Sequence, residues 1–243
     1  MRWRLAAAAA SHTAELRSHA TASANSLTGA LIALEGIDGS GKSTIAERLV
    51  TKMREVGTRA ILSREPGGTA IGEQIREILL QQGSSSMLPT TEMLLFAADR
   101  AQHVGELIRP ALAKGLIVVT DRFVDSTRAY QWGARGLERQ VVDLALELAT
   151  NGLEPDLKIL LDLPVETALR RRMTSSNEIN RLDRESILFH TRVRDAYHSL
   201  VVANPATWIV VDADRDTDVV SADVLRAVVS HGLLANHPGC VAR

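Results

Sequence analysis

The chain has 243 residues, of which 45% are hydrophobic and 23% charged, and this composition is typical of one globular domain and excludes a wholly disordered protein. Its 28 basic and 29 acidic residues leave a net charge of -1, which predicts no general attraction to nucleic acid, and no apolar run is long enough to span a membrane. The single cysteine, Cys240, excludes an internal disulfide framework and a cysteine-rich zinc site, and favours a reducing, cytoplasmic location.

The two ends of the chain differ in composition from its middle. Residues 1–29 are rich in Ala and Ser, carry several arginines against a single acid, and have no strand pattern. We interpret them as a disordered N-terminal extension, although their basic, acid-poor composition also leaves an organellar transit segment open. Residues 235–243 are interpreted as a C-terminal tail, so residues 30–234 are expected to form one domain.

Apolar runs alternate with amphipathic segments along this domain. Strands are predicted at residues 31–35, 59–63, 116–120, 157–163 and 208–212, and helices at 44–56, 70–80, 90–113, 138–149, 165–173 and 187–201. Strands that are apolar throughout and separated by helices indicate a parallel sheet covered on both faces. The predicted class is therefore α/β, with three α/β/α layers around a five-stranded parallel sheet. The polar stretch 174–180 is expected to be a mobile loop.

A glycine-rich loop follows the first predicted strand. Residues 36–43, GIDGSGKS, match the pattern GxxxxGK[ST], and a helix is predicted directly after them. In such a loop the glycines let backbone N–H groups face a phosphate, Lys42 supplies charge for the β and γ phosphates, and Ser43 offers a hydroxyl to Mg²⁺. An accidental glycine turn is disfavoured by the flanking strand and helix. The expected ATP-binding residues are Gly36, Ile37, Asp38, Gly39, Ser40, Gly41, Lys42, Ser43 and Thr44.

The third predicted strand ends in an acid followed by an arginine. Asp121 stands where parallel sheets of this kind place a carboxylate associated with Mg²⁺, and it could hold a metal-bound water. An ordinary helix cap is the alternative for Asp121 alone. Arg122 beside it favours a phosphate bridged by a metal.

Three further segments contain groups suited to a second substrate. REPGGT (64–69) places Arg64 after the second strand, and FAADRAQH (96–103) places Phe96 and Arg100 on one helical face. An aromatic ring and a guanidinium so arranged can stack on a base and hydrogen-bond its edge, although an isolated Phe96 would more often be core. The segment DRFVDSTRAYQ (121–131) adds Ser126, Thr127, Tyr130 and Gln131.

Taken together, these motifs resemble those of the bacterial-type thymidylate kinases. The resemblance is carried by EGIDGSGKST, REPGGT, LLFAADRAQH, DRFVDSTRAYQ and RLDRES with Tyr197 beyond it, and it runs from about Leu31 to about Leu233. It implies a P-loop fold with a short lid, usually a homodimer, that transfers the γ-phosphate of ATP to dTMP with Mg²⁺ and gives dTDP.

The resemblance also implies a role for each matching residue. Arg64 and Arg122 would bind the dTMP phosphate, Asp38 would approach the 3′-hydroxyl, Phe96 would stack on thymine and Arg100 would bond its carbonyl edge. Base and sugar would be lined by Ser126, Thr127, Tyr130 and Gln131. Lys42 and Arg122 would act on the phosphoryl groups, and Ser43 and Asp121 would hold Mg²⁺, partly through water. The bulk of Tyr130 could exclude a 2′-hydroxyl.

The lid departs from the family pattern. Its central stretch, TSSNE, contains no arginine, so the arginine for the transferred phosphoryl group is expected to be Arg172 at its base or Arg181 beyond it. The run at 170–172 could otherwise be a solvated basic helix end. For His103 we expect a position on a helix surface or at an interface, rather than a catalytic role.

Two other functions remain open at this point. The missing lid arginine could mark a catalytically silent nucleotide-binding module, although the intact Lys42, Asp38, Arg64 and Arg122 argue against it. A deoxynucleoside kinase of similar fold is disfavoured, because two arginines suit an acceptor that is already phosphorylated.

Overall fold

The structure is a computed structural model that describes residues 28–81, 86–174 and 179–234. The predictions of an N-terminal extension and of a C-terminal tail fall on residues 1–27 and 235–243, which lie outside the described ranges. The centre of the expected lid loop, residues 175–178, also lies outside them.

Five strands form one parallel sheet. In chain order they are β1 (Ala30–Glu35), β2 (Ala60–Arg64), β3 (Ile117–Asp121), β4 (Leu157–Asp162) and β5 (Trp208–Asp212), and their spatial order is β2-β3-β1-β4-β5. All four pairings are parallel. The predicted α/β class and its five-stranded parallel sheet are confirmed, and every predicted strand matches an observed one to within one or two residues.

Helices cover both faces of this sheet. They are α1 (Lys42–Glu55), α2 (Ala70–Leu80), α3 (Pro89–His103), α4 (Arg109–Ala113), α5 (Val124–Thr127), α6 (Arg139–Thr150), α7 (Val165–Thr174), α8 (Ile187–Ala203) and α9 (Thr217–Ser230). The helix predicted over 90–113 is divided, because the π-helical turn Val104–Ile108 separates α3 from α4. A second π-helical turn, Arg128–Ala134, follows α5. Neither α5 nor α9 was predicted.

Two apolar cores lie on opposite faces of the sheet. Successive residues of β1 point to opposite faces, so that Ile32 packs in the core with α1, α8 and α9, and Leu31 packs in the core with α3 and α6. Both residues are fully buried. This explains why β1 is apolar at nearly every position rather than at alternate ones.

The order of the strands determines where a ligand can bind. β1 lies between β3 and β4, so the connections after β1 leave the sheet at the point where its strand order reverses. Leu34 of β1 is in register with Asp121 of β3, and this pairing aligns the carboxyl ends of the two strands.

Among the helices of the described ranges, none combines the length and the apolar character that a membrane span requires.

Candidate active site

The glycine-rich loop joins β1 to α1 at the carboxyl edge of the sheet. Its backbone has positive φ at Gly39 (+85°) and Gly41 (+90°), where a side chain would be strained. A Cβ on Gly39 would also lie 2.0 Å from the carbonyl oxygen of Ala168, so only glycine fits there. Helix α1 begins at Lys42, and its N-terminal N–H groups therefore face the loop, as a phosphate site requires.

Lys42 is enclosed by this loop. Its Nζ donates to the carbonyl oxygen of Ile37 at 2.9 Å, and the side chain is buried. Burial and then repulsion by Arg122 lower the pKa of Lys42 to about 8. A negatively charged phosphate in the loop would oppose this shift and favour the charged amine.

Two oxygen groups next to the loop suit a divalent cation. Ser43 Oγ donates to Asp121 Oδ2 at 2.5 Å, which joins the start of α1 to the end of β3. The other carboxylate oxygen, Asp121 Oδ1, is buried without a hydrogen-bond partner among the described residues. Hydroxyl and carboxylate oxygens are the ligands that Mg²⁺ prefers, and it usually takes its remaining ligands from phosphate and water. These residues therefore fit the expected metal.

Arg122 lies between the phosphate loop and the residues predicted to bind the acceptor. Its Nη2 donates to Asp38 Oδ1 at 2.6 Å, its Nη1 donates to Ser126 Oγ at 2.9 Å, and its guanidinium lies 5.1 Å from the ring centre of Tyr130. The Tyr130 hydroxyl donates to the other oxygen of Asp38 at 3.0 Å. Burial acts to raise the pKa of Asp38, but Arg122 and then Lys42 outweigh it and hold that pKa well below its usual value.

A buried carboxylate that the sequence analysis missed supports this arrangement. Glu35 accepts from the backbone N–H of Phe123 at 2.9 Å, from Ser126 Oγ at 2.6 Å and from Tyr197 Oη at 2.8 Å. Burial, followed by repulsion from Asp125, raises the pKa of Glu35 to about 6. The available signal was an acid at the end of an otherwise apolar strand, directly before the phosphate loop.

The predicted acceptor residues lie together on the other side of Arg122. Arg64 is about half exposed and donates to both carboxylate oxygens of Glu73, each at 3.0 Å. Arg100 is 1% exposed and donates to Glu65, to Thr127 Oγ1 and to the carbonyl oxygen of Phe123. Three of its five N–H groups therefore bond to protein, which leaves two for a ligand.

The expected surface position of His103 is wrong. The side chain is fully buried, with Nδ1 2.8 Å from Glu65 Oε1 and Nε2 2.5 Å from Ser63 Oγ. Its partners lie about 40 residues earlier in the chain, on the strand and loop that precede α2. A local sequence pattern does not show that α3 packs against this loop.

The two candidate lid arginines both pair with acids. Arg172 donates through Nε and Nη2 to the two oxygens of Asp183, at 2.8 and 2.7 Å, and it lines the cleft described below. Arg181 donates to Glu92 and to the carbonyl oxygen of Leu79, and its side chain does not line that cleft. In this conformation Arg172 is the better placed of the two.

One open cleft of about 1700 Å³ joins these groups. The predicted residues that line it are Asp38, Gly39, Ser40, Gly41, Lys42, Ser43, Thr44, Arg64, Phe96, Arg100, Asp121, Arg122, Ser126, Thr127, Tyr130, Gln131 and Arg172. Gly36, Ile37 and Arg181 do not line it. Further polar residues that were not predicted also line it, among them Glu65, Glu73, Arg76, Arg171 and Arg215.

The parallel sheet, with a glycine-rich loop running from its central strand into a helix, defines a P-loop nucleotide-binding protein. The family model described as "Thymidylate kinase" matches residues 34–224. Similar proteins are the thymidylate kinases of Trichlorobacter lovleyi (45% identical, 82% of this chain and 96% of the relative), Geobacter sulfurreducens (46%, 81% and 96%) and Thermomicrobium roseum (48%, 82% and 93%). The chain belongs to the thymidylate kinase family, and the predicted family is confirmed.

Proposed function

We propose that the chain transfers the γ-phosphoryl group of ATP to dTMP and releases dTDP and ADP, the activity that its family membership implies. The observation that carries this proposal is a single cleft that is lined both by the phosphate loop and by three arginines of the acceptor side, Arg64, Arg100 and Arg122. Two bound nucleotides can therefore meet there with their phosphates adjacent, and holding reactants in this way removes much of the barrier.

The reaction requires little covalent chemistry from the protein. A phosphate oxygen of dTMP bonds to the γ-phosphorus of ATP, while the bond from that phosphorus to the β–γ bridging oxygen breaks and its electron pair leaves on ADP. Lys42 and the N–H groups of the phosphate loop hold the donor phosphates. Ser43 and Asp121 would hold Mg²⁺, which when bound neutralises charge on the phosphate oxygens. A silent module is not favoured, because the chain keeps both the donor and the acceptor groups.

On the acceptor side, the polar groups suit a nucleoside monophosphate. Arg64 and Arg122 bind its phosphate dianion, for which guanidinium groups are well shaped. Phe96 stacks on the base and Arg100 bonds the base edge. The sugar and base are enclosed by Asp38, Ser126, Thr127, Tyr130 and Gln131, with Asp38 accepting from the 3′-hydroxyl. All of these residues line the cleft.

The sugar preference follows from Tyr130. Its hydroxyl is hydrogen-bonded to Asp38 and its ring lies against Arg122, so the ring has little freedom to move aside. A 2′-hydroxyl beside this ring would be crowded and left without a partner. We therefore infer a preference for deoxyribose over ribose.

The lid arginine is assigned to Arg172, with Arg181 as the second candidate. Arg172 lines the cleft, and Asp183 holds its guanidinium in one orientation. In this role its guanidinium would stabilise the charge on the transferred phosphoryl oxygens.

We further propose a cytoplasmic homodimer in which residues 30–234 form the catalytic domain, flanked by the extension 1–29 and the tail 235–243. The dimer is supported by exposed apolar side chains on two neighbouring helices, Leu94 on α3 and Val141, Leu144 and Leu148 on α6. Apolar patches on a protein surface often mark interfaces.

A coupled ADP-release assay tests the proposed reaction. The full chain is incubated with ATP, Mg²⁺ and one acceptor at a time: dTMP, dUMP, UMP, dCMP or thymidine. We expect the highest kcat/KM with dTMP, and a much higher value for dUMP than for UMP because of Tyr130. The Lys42→Ala variant, which lacks the phosphate-binding charge, provides the inactive control.

Three other outcomes of this assay would contradict the proposed reaction or the proposed sugar preference. Turnover of thymidine without turnover of dTMP would indicate a deoxynucleoside kinase. No turnover of any acceptor would indicate a silent nucleotide-binding module. Equal rates with dUMP and UMP would contradict the role of Tyr130 alone.

A further inference from the structure

Four buried side chains form a hydrogen-bonded line behind the acceptor pocket. Ser63 Oγ lies 2.5 Å from His103 Nε2, and His103 Nδ1 lies 2.8 Å from Glu65 Oε1. The other oxygen, Glu65 Oε2, accepts from Arg100 Nε at 2.8 Å. Each of these four residues is at most 6% exposed. The line thus connects the end of β2 to helix α3 without solvent between them.

The chemistry of its members sets the direction of each hydrogen bond. A carboxylate can only accept, so His103 Nδ1 must donate to Glu65. The charge of Glu65 is already balanced by Arg100, and a second buried cation would be costly. A neutral imidazole satisfies both conditions, with its Nε2 accepting from the Ser63 hydroxyl.

The same histidine also contacts the acceptor loop. Gly68 has φ of +79°, and a Cβ there would lie 3.0 Å from His103 Nε2, so the loop backbone packs directly against the imidazole. One turn earlier on α3, Asp99 Oδ1 accepts from the backbone N–H of Gly67 at 2.8 Å. Helix α3 therefore holds both glycines of the loop that begins at Arg64.

We propose that His103 is a positioning residue for the acceptor nucleotide. By holding Glu65 and the loop backbone, it determines where the guanidinium of Arg100 and the loop carrying Arg64 stand. His103 does not itself line the cleft, so it acts through these residues. The inference rests on the proposed function, in which both arginines bind dTMP.

This placement predicts an effect on one substrate only. Arg64 and Arg100 belong to the acceptor side, whereas Lys42 and the phosphate loop bind the donor from the other side of Arg122. Loss of the imidazole should therefore weaken dTMP binding and leave ATP binding unchanged. A residue that served folding alone would not separate the two substrates.

Steady-state kinetics of the full chain, with ATP and dTMP varied independently, test the proposal. His103→Leu removes both hydrogen bonds, and we expect it to raise the KM for dTMP at least about tenfold, as for a buried hydrogen bond left unmade. The KM for ATP should stay within about twofold. His103→Gln keeps a donor and an acceptor and should recover most of the loss. His231→Leu, at an exposed histidine after α9, is the matched control.

A second variant keeps the test decisive if His103→Leu does not fold. Ser63→Ala removes only the hydroxyl that faces Nε2, and we expect a smaller rise in the KM for dTMP, with the KM for ATP unchanged. Equal rises in both KM values, or no rise in the KM for dTMP in Ser63→Ala, would overturn the proposal.

The protonation of the imidazole gives a readout that does not depend on turnover. In ¹⁵N NMR spectra of the full chain, His103 should show a protonated Nδ1 and an unprotonated Nε2. The opposite tautomer would overturn the proposal even if dTMP is turned over. Failure of the wild-type chain to phosphorylate dTMP would instead contradict the proposed function, so the two failures are distinguishable.

Discussion

Arg122 combines an unusual backbone conformation with several side-chain partners. Its φ of +75° lies in the left-handed region, which costs free energy for a residue with a Cβ. The conformation is held on both sides, since Arg122 N–H donates to the carbonyl oxygen of Leu34 and Phe123 N–H donates to Glu35. The strained turn directs the guanidinium at Asp38 and into the cleft.

Arg122→Lys should therefore be far from a conservative change. A lysine ammonium is a single point charge, so it cannot reproduce the separate contacts of Nη1 with Ser126 and of Nη2 with Asp38, and it has no planar face for Tyr130. We expect kcat/KM for dTMP to fall by about 100-fold or more, which corresponds to a few kcal/mol of lost interaction. Arg226→Lys, at an exposed arginine of α9, should leave the kinetics unchanged. A loss of less than threefold in Arg122→Lys would contradict the assigned role.

Lys42 predicts a pH dependence on the donor side. Because its pKa in the free protein is lowered to about 8, raising the pH through 8 removes the charge that we propose binds the ATP phosphates. We expect kcat/KM for ATP to fall above about pH 8, toward about tenfold for each pH unit, while kcat persists to higher pH because bound phosphate restores the pKa.

The matched variant for this profile is Lys42→Arg. An arginine stays charged across this pH range, so the variant should lack the alkaline fall even if its rate is lower. Initial rates measured at limiting ATP from pH 6 to about 10 decide the matter. The same alkaline fall in both proteins would assign it to another group.

At the scale of single elements, the strands were predictable, whereas the short helix α5 and the long helix α9 were not. The five strands are short apolar runs bounded by polar or turn residues, and their short length favours a strand over a buried helix. Helix α9 is rich in valine, which is typical of strands, and it follows β5 after only a short loop. Its buried residues, Val220, Val224, Ala227 and Val228, have the spacing of one helical face and could have revealed it.

The lid segment between α7 and α8 provides a prediction at this scale. Arg172→Ala should lower kcat by about 10³-fold, because an arginine that neutralises the transferred phosphoryl group acts in the transition state. Arg181→Ala should have a smaller effect, since Arg181 bonds to Glu92 outside the cleft.

Asp183→Asn separates chemistry from structure at the lid. This variant weakens the ion pair that Asp183 makes with Arg172 but keeps the arginine, so its kcat should fall far less than that of Arg172→Ala. An equal loss in Asp183→Asn and Arg172→Ala would assign Arg172 a structural role. No loss in either arginine variant would contradict the choice of lid arginine.

At the scale of the whole molecule, the exposed apolar patch on α3 and α6 is the surface that we propose forms the dimer. Leu148 is 85% exposed and Leu144 is 72% exposed, unusual values for leucines on a helix whose other face is buried in the core. We expect sedimentation equilibrium to show a dimer and Leu148→Glu to shift it toward monomer. Val202→Glu, at an 80% exposed valine of α8, should leave the dimer intact. A monomeric wild-type chain would contradict the proposed assembly.

The sequence by itself determined the class of chemistry and the number of strands with their places along the chain. The phosphate loop is a contiguous segment whose function depends on residue types at fixed spacing, between a strand and a helix that are its direct neighbours. The residues proposed to bind the acceptor could also be selected from the sequence, because each stands at a strand end or on one helical face, and they line one cleft. Only the resemblance to a family, and not their spacing, assigned them to thymine and deoxyribose.

Tertiary structure decided which charged groups are paired and in which direction they point. Arg181 bonds to Glu92, which lies 89 residues away along the chain, and Tyr197 bonds to Glu35, which lies 162 residues away. The contacts of Glu35, Glu65 and His103 form because helices α3 and α8 pack against the ends of the strands, so the sequence alone did not reveal them. The physical reason is that a buried charge is costly unless an opposite charge or a hydrogen-bonding group lies beside it. Which group lies beside it depends on how distant segments pack, and a local segment of sequence does not determine that packing.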